Sequence, residues 1–294
     1  MDFLVVVKTL ERAAVAMPGL LAVTLALVLG KLFFDRTHVF DANKEIEDDQ
    51  NGAFGIVYAA YFVALALAMA GALFQSGETS VWWGTAKILG ECFLVLVLMR
   101  ASLWVNDRLI LSNFSINKEI GEDRNLGVAF CVAGALIATG FSINGALTGF
   151  SSSLFSTIRD ILVFWAFGQL ILVAGAQLYQ WTTGLDVHRI IQLDDNTAVG
   201  LSFGGYLAGL GIVARAALVG AGQDSLGNEI LRTLTIAVVG VGLLIATRIV
   251  VSLVFLKRSS LNSEIELDDN LAAGALAAGG YLATAILLTT CLHR

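Results

Sequence analysis

The sequence predicts an all-α integral membrane protein, with eight transmembrane helices built from four parallel two-helix repeats. Three observations carry that reading. Of the 294 residues, 57% are apolar and only 14% are charged, whereas a soluble domain carries about 25% charge. Several uncharged runs reach the ~20 residues a helix needs to cross the hydrocarbon core. An acidic motif ending in Asn also recurs four times at near-constant spacing.

The expected spans are 13–30, 53–74, 84–105, 127–150, 161–181, 198–220, 230–256 and 271–292. The third, sixth and seventh contain charges; the other five do not. The opening MDFLVVVKTLER lacks a cleavage-site pattern, and Asp2 precedes its apolar run, so it is not a signal peptide. It reads instead as a short interfacial helix with Lys8 and Arg12 at the headgroups, and the first span serves as the targeting signal. No stretch between spans is long enough for a second domain.

The repeat is visible when four segments are aligned on an Asn: NKEIEDDQN ending at Asn51, NKEIGEDRN at Asn125, HRIIQLDDN at Asn196 and NSEIELDDN at Asn270. The Asn residues are separated by 74, 71 and 74 positions. Five places before each stands Ile46, Ile120, Ile191 or Ile265, and two places before each stands Asp49, Asp123, Asp194 or Asp268. Four places after each comes Gly55, Ala129, Gly200 or Gly274. Two spans per unit return the chain to its starting side, so all four acidic loops share one face. Parallel repeats of this kind are related by an axis along the membrane normal.

Lys and Arg decide which face that is. The acidic loops hold eight: Arg36, Lys44, Arg108, Lys118, Arg124, Arg189, Lys257 and Arg258. The other side holds Lys8, Arg12 and Arg294, with Arg159 and Arg232 at span edges. The bias predicts cytoplasmic acidic loops and both termini outside.

The acidic-Asn entry into a run of small residues, as in DDNTAVGLSFGG and DDNLAAGALAAGG, resembles the YjfL-like bacterial inner-membrane family, domain of unknown function 350. Members typically have four spans made of two such units. The resemblance therefore implies two family domains in tandem, 1–150 and 151–294, in a bacterial inner membrane, and it implies no activity. The first two copies depart from the pattern, with Gln50 and Arg124 where the later copies have Asp195 and Asp269.

Two readings of the motif stand side by side. Asn and Asp are strong N-caps, and carboxylates favour the positive end of a helix, so each motif marks a capped helix at the water boundary. Alternatively, Asp49, Asp123, Asp194 and Asp268 surround a central axis, with Asn51, Asn125, Asn196 and Asn270 beside them. Such an oxygen ring suits an inorganic cation at a pore mouth. A potassium-channel filter sequence is absent, and Gly204–Tyr206 and Gly279–Tyr281 fall within spans in only two copies.

Charges inside spans are candidates for function. They are Glu91, with Lys87 one turn before it, and Arg100, Arg215 and Arg248. Lys31, Arg100, Gln177 and Arg248 form a loose set near the acidic-loop ends of the odd spans, facing either a shared interior or the headgroups. Small-xxx-small pairs such as Gly200/Gly204, Gly205/Gly209, Gly274/Ala278 and Ala129/Ala133 place the even spans inside, with the odd spans facing lipid.

Cys92, Cys131 and Cys291 read as buried apolar residues, and His38, His188 and His293 are too scattered for a metal cluster. A net charge of −6 argues against nucleic acid. No catalytic or cofactor motif appears, so neither an enzyme nor a cofactor is expected. The expected partners are the lipid bilayer and membrane or cytoplasmic proteins, with an inorganic cation as candidate ligand. What remains is a membrane scaffold or accessory component of an envelope-associated system, or a cation-binding transporter or permeation protein.

Overall fold

The computed structural model describes residues 3–37, 40–73, 80–112, 115–149, 154–220 and 225–292. Asp2, the Arg12 side chain, His38, His293 and Arg294 lie outside the described residues. The helices are α1 (Phe3–Thr37), α2 (Gly52–Leu73), α3 (Val81–Val105), α4 (Ile116–Gly121), α5 (Leu126–Leu147), α6 (Leu154–Thr183), α7 (Val187–Leu193), α8 (Thr197–Leu218), α9 (Leu226–Phe255) and α10 (Leu271–Leu292). Among the described residues there is no strand, and all of these helices except α4 and α7 are long and apolar enough to cross a bilayer.

Several expected boundaries move: α1 runs past position 30 to Thr37, and α9 starts at Leu226 rather than 230. The chain does not form a separate interfacial helix before the first span, because α1 runs unbroken for 35 residues with Pro18 inside it. Nothing between Leu10 and Ala13 breaks a helix. Likewise α6 starts at Leu154, well before position 161. The charges that hydropathy counts against that start are a neutralising pair, Arg159 Nη2 to Asp160 Oδ1 at 2.6 Å.

The four units are α1 with α2, α3 with α5, α6 with α8, and α9 with α10. Their second helices pack side by side in the order α2, α5, α8, α10. In the two central members 78% of the residues of the 18-residue apolar stretch are buried, against 44% in α2 and 33% in α10. The packing is backbone on backbone: a Cβ on Gly140 would lie 2.5 Å from the Ala64 carbonyl oxygen, and one on Gly274 would lie 2.5 Å from that of Ala198. Small residues replace the hydrophobic drive that is missing between helices in lipid.

The row does not close into a ring. Its ends are α2 and α10, where a Cβ added at Gly55 or Gly279 would meet open space. The first helices of the units form the outer layer. Each of α3, α6 and α9 lies in the groove between its own inner helix and the inner helix of the preceding unit. Helix α1 has no preceding unit and leans on α2 and α3 instead.

Candidate functional site

All four motifs fold into the same turn. A short helical segment (Lys44–Asp48, α4, α7 or Ser263–Leu267) ends, one residue adopts positive φ, and the Asn begins the next span. The positive-φ residues are Gln50, Arg124, Asp195 and Asp269, at 49°, 54°, 50° and 43°. A non-Gly residue there costs roughly 1–2 kcal/mol, so each turn must be held by its surroundings. The Asn N–H reaches back six residues, to the carbonyls of Glu45, Glu119, Ile190 and Glu264. Each Asn Oδ1 then accepts from the new helix, from Phe54 N at 3.1 Å, Val128 N at 2.9 Å, Val199 N at 2.7 Å and Ala273 N at 3.3 Å. Those N–H groups have no partner within the helix.

The other end of the amide joins one unit to the next. Asn51 Nδ2 donates to the Ile120 carbonyl at 2.9 Å, Asn125 Nδ2 to Ile191 at 2.7 Å, and Asn196 Nδ2 to Ile265 at 2.8 Å. These acceptors are the Ile residues five places before the next Asn. The positive-φ residue of the later unit also reaches back across the same boundary. Arg124 donates to the Asp49 carbonyl, Asp195 Oδ1 accepts from Asn125 Nδ2, and Asp269 Oδ1 accepts from Ala198 N. The left-handed turn aims that side chain at its neighbour. Asn51, Asn125 and Asn196 are each 3% exposed.

The aspartates two places earlier do not encircle an axis. Asp49 lies 3.7 Å from Lys44 and 3.8 Å from Arg124, and Asp123 lies 2.8 Å from Lys118. Asp194 and Asp268 face solvent. The motifs follow the order of the inner helices, and among the described residues the first and last of these, α2 and α10, do not pack on each other to close a mouth. Among the described residues, no three His, Cys, Asp or Glu side chains come together as a metal site.

Glutamates that the aligned motif does not include stand six places before three of the Asn residues. Glu45, Glu119 and Glu264 each accept from their own unit's Asn Nδ2, at 2.8, 3.3 and 2.7 Å. Their recurrence beside the aligned Ile was the available signal. Their environments differ: burial, then the nearby Asp123 charge, pushes the Glu119 carboxyl up from its ordinary value. Hydrogen bonds from Ser259 and Asn270 hold Glu264 below it.

The charges within spans do not converge either. Glu91 is 8% exposed on α3, and its Oε2 finds no partner among the described residues. Arg215 Nε donates to Asn144 Oδ1 at 2.6 Å, and Asn144 Nδ2 donates to the Leu67 carbonyl at 2.7 Å, which ties α8, α5 and α2 together. Arg248 donates to Tyr179 and Tyr281 hydroxyls at 3.1 and 3.5 Å and to Asn262 Oδ1, with its guanidinium 5.5 Å from the Tyr179 ring centre. Arg100 instead lines an open cavity of about 500 Å³ with Phe34, Tyr61, Asp107, Arg108 and Asn117.

Lys31, Arg100, Gln177 and Arg248 do not share an interior. Lys31 pairs with Asp35 at 2.6 Å on the exposed side, and Gln177 donates to the Leu109 carbonyl. The two halves repeat in a register of 145 residues, which sets Leu103, not Arg100, opposite Arg248. His188 Nε2 lies 2.7 Å from the Ile110 carbonyl oxygen, and Cys291, expected to be buried, is exposed at the free end of the row.

The profile of the family described as Domain of Unknown Function (DUF350) matches residues 9–147 and again 153–292. A UPF0719 transmembrane protein from Aquifex aeolicus (strain VF5) is 23% identical over 278 residues, covering 92% of this chain and 98% of that protein. No solved structure matches.

Proposed function

The chain belongs to the DUF350 family and carries its domain twice; on that premise we propose a non-conducting, non-catalytic scaffold of the bacterial inner membrane, acting as an accessory component of an envelope-associated system. In this reading the motif row faces the cytoplasm and both termini face outward, as the distribution of Lys and Arg favours.

The observation that carries the reading is the contact between inner helices. A Cβ on Gly127 would lie 2.6 Å from the Asn196 carbonyl oxygen, and one on Gly134 or Gly200 would overlap the backbone of the facing helix. Helices this close leave no aqueous path between them. The motif face also offers a foothold for a protein partner, because Leu193 and Leu267 stand 66% and 77% exposed among acidic neighbours. Both occupy the place three residues before an Asn, where the first two units carry Asp48 and Glu122.

Ion flux into proteoliposomes tests the proposal. The scaffold predicts uptake of sodium, potassium, calcium and protons no faster than into empty vesicles. Flux above that level, lowered by Asp→Asn changes at positions 49, 123, 194 and 268, would contradict it and support the permeation alternative.

A further inference from the structure

The unit-to-unit interface is made three times within the chain, and each time it has the same parts. An Asn amide donates to the carbonyl of the next unit's Ile. The side chain of that Ile is buried at the joint: Ile120 is 3% exposed, Ile191 0% and Ile265 0%. The next unit's positive-φ residue reaches back, and small residues let the two inner helices touch.

Each end of the row presents one half of this interface. On the first unit, Ile46 is 44% exposed although its three counterparts are buried, and Gln50 holds the same strained backbone with its side chain in solvent. On the fourth unit, Asn270 Nδ2 donates to Glu264 of its own unit and to no following one. The helix faces match as well. Gly205 of α8 lies against Ala278 of α10; the corresponding face of α10 is Ala272, Ala275 and Gly279, all exposed, and that of α2 is Gly55 and Ala59. Helix α1 is an outer helix without the second inner helix that α3, α6 and α9 each straddle.

We propose that a second copy of this chain docks head to tail on the first, its α2 against the free face of α10, with Asn270 donating to the partner copy's Ile46 carbonyl and α1 covering the joint. The occupant is a second copy because the two open faces are the two halves of an interface that the chain already builds three times. Such a heterologous contact extends the row and closes into a ring where the rotation per unit permits. The proposal goes beyond the scaffold reading and stands whether or not the protein conducts.

Cysteine cross-linking in native membranes tests it. In a Cys291→Ala background, differently tagged Ala59→Cys and Gly279→Cys chains are co-expressed and oxidised. The expected result is a disulfide-linked pair carrying both tags, with neither variant forming one alone. Placing both changes in one chain should give a ladder of covalent multimers. Absence of mixed pairs, or cross-linking of a single variant to itself, would overturn head-to-tail docking. Because Ala59 is exposed, Ala59→Trp should leave the thermal unfolding of the dilute detergent-solubilised monomer unchanged while native mass spectrometry shifts from multimers to monomer; multimers that persist would equally overturn it.

Discussion

The two halves of the molecule share a skeleton and differ in how the space beside Arg100 and Arg248 is filled. Tyr61 donates to the Gly30 carbonyl at 3.3 Å, and Tyr206, in the same register, donates to the Gly175 carbonyl at 3.0 Å. Around Arg248, however, the second half is filled. Tyr179 and Tyr281 are 2% and 1% exposed, and Asn262 bridges Arg248 to the Thr183 carbonyl. In the first half the matching positions are Phe34, Leu136 and Asn117, and there they line the open cavity beside Arg100. Duplication thus preserved the joints that hold helices together. What diverged is the space between them on the motif side.

Exchanging the residues that differ should sharpen this contrast. Tyr281→Leu removes a buried ring and one of the guanidinium's acceptors, and should cost about 3 kcal/mol in a detergent thermal-unfolding assay. The reverse change, Leu136→Tyr, enters an existing cavity and should shift stability by less than about 1.5 kcal/mol. Equal losses in both halves would mean that the cavity does not exist as described.

Asn125 and Asn270 occupy the same register position but differ in what lies beyond them. Asn125→Ala loses a cap and leaves the Ile191 carbonyl without its donor, for a cost of about 2 kcal/mol. Asn270→Ala loses the cap, for about 1 kcal/mol. Chemical unfolding of the monomeric protein in detergent checks the ratio, and equal costs would break the distinction between an inner joint and a free end.

The smallest effect separates Glu119 from Glu264. Burial raises the Glu119 pKa, so the folded chain holds that proton more tightly than the unfolded one. Its contribution is therefore present below the ordinary carboxylate value and lost as pH rises through the raised one. The Glu264 pKa is lowered, so its contribution is present above the ordinary value and lost as pH falls through the lowered one. Glu119→Gln should raise the melting temperature at neutral pH, and Glu264→Gln should lower it. Melting curves from acid to neutral pH would show shifts of opposite sign; shifts of one sign would contradict the assignment.

The sequence exposes the parts of this architecture that depend on local order along the chain. The spans follow from hydropathy, the units from the spacing of Asn51, Asn125, Asn196 and Asn270, and an N-cap from an Asn set before an apolar run. The open row was hidden, because self-similarity shows that units are alike and not which unit sits beside which. The reach of Asn125 to Ile191 spans 66 residues and has no local signature. The left-handed turns were hidden too, since Gln50, Arg124, Asp195 and Asp269 are not glycines; what unites them is the side chain's aim across a joint. In the spans, Arg100 and Arg248 look alike as isolated charges, and only the residues packed around them tell them apart.

Four units standing the same way up put all four motifs on one face. Single cysteines at Gln50, Arg124, Asp195 and Asp269, in a Cys291→Ala background, test it in sealed vesicles with a membrane-impermeant maleimide, using a cysteine at Ser80 to mark the opposite face. All four should react from one side while position 80 reacts from the other. Any one of the four reacting together with position 80 would contradict it.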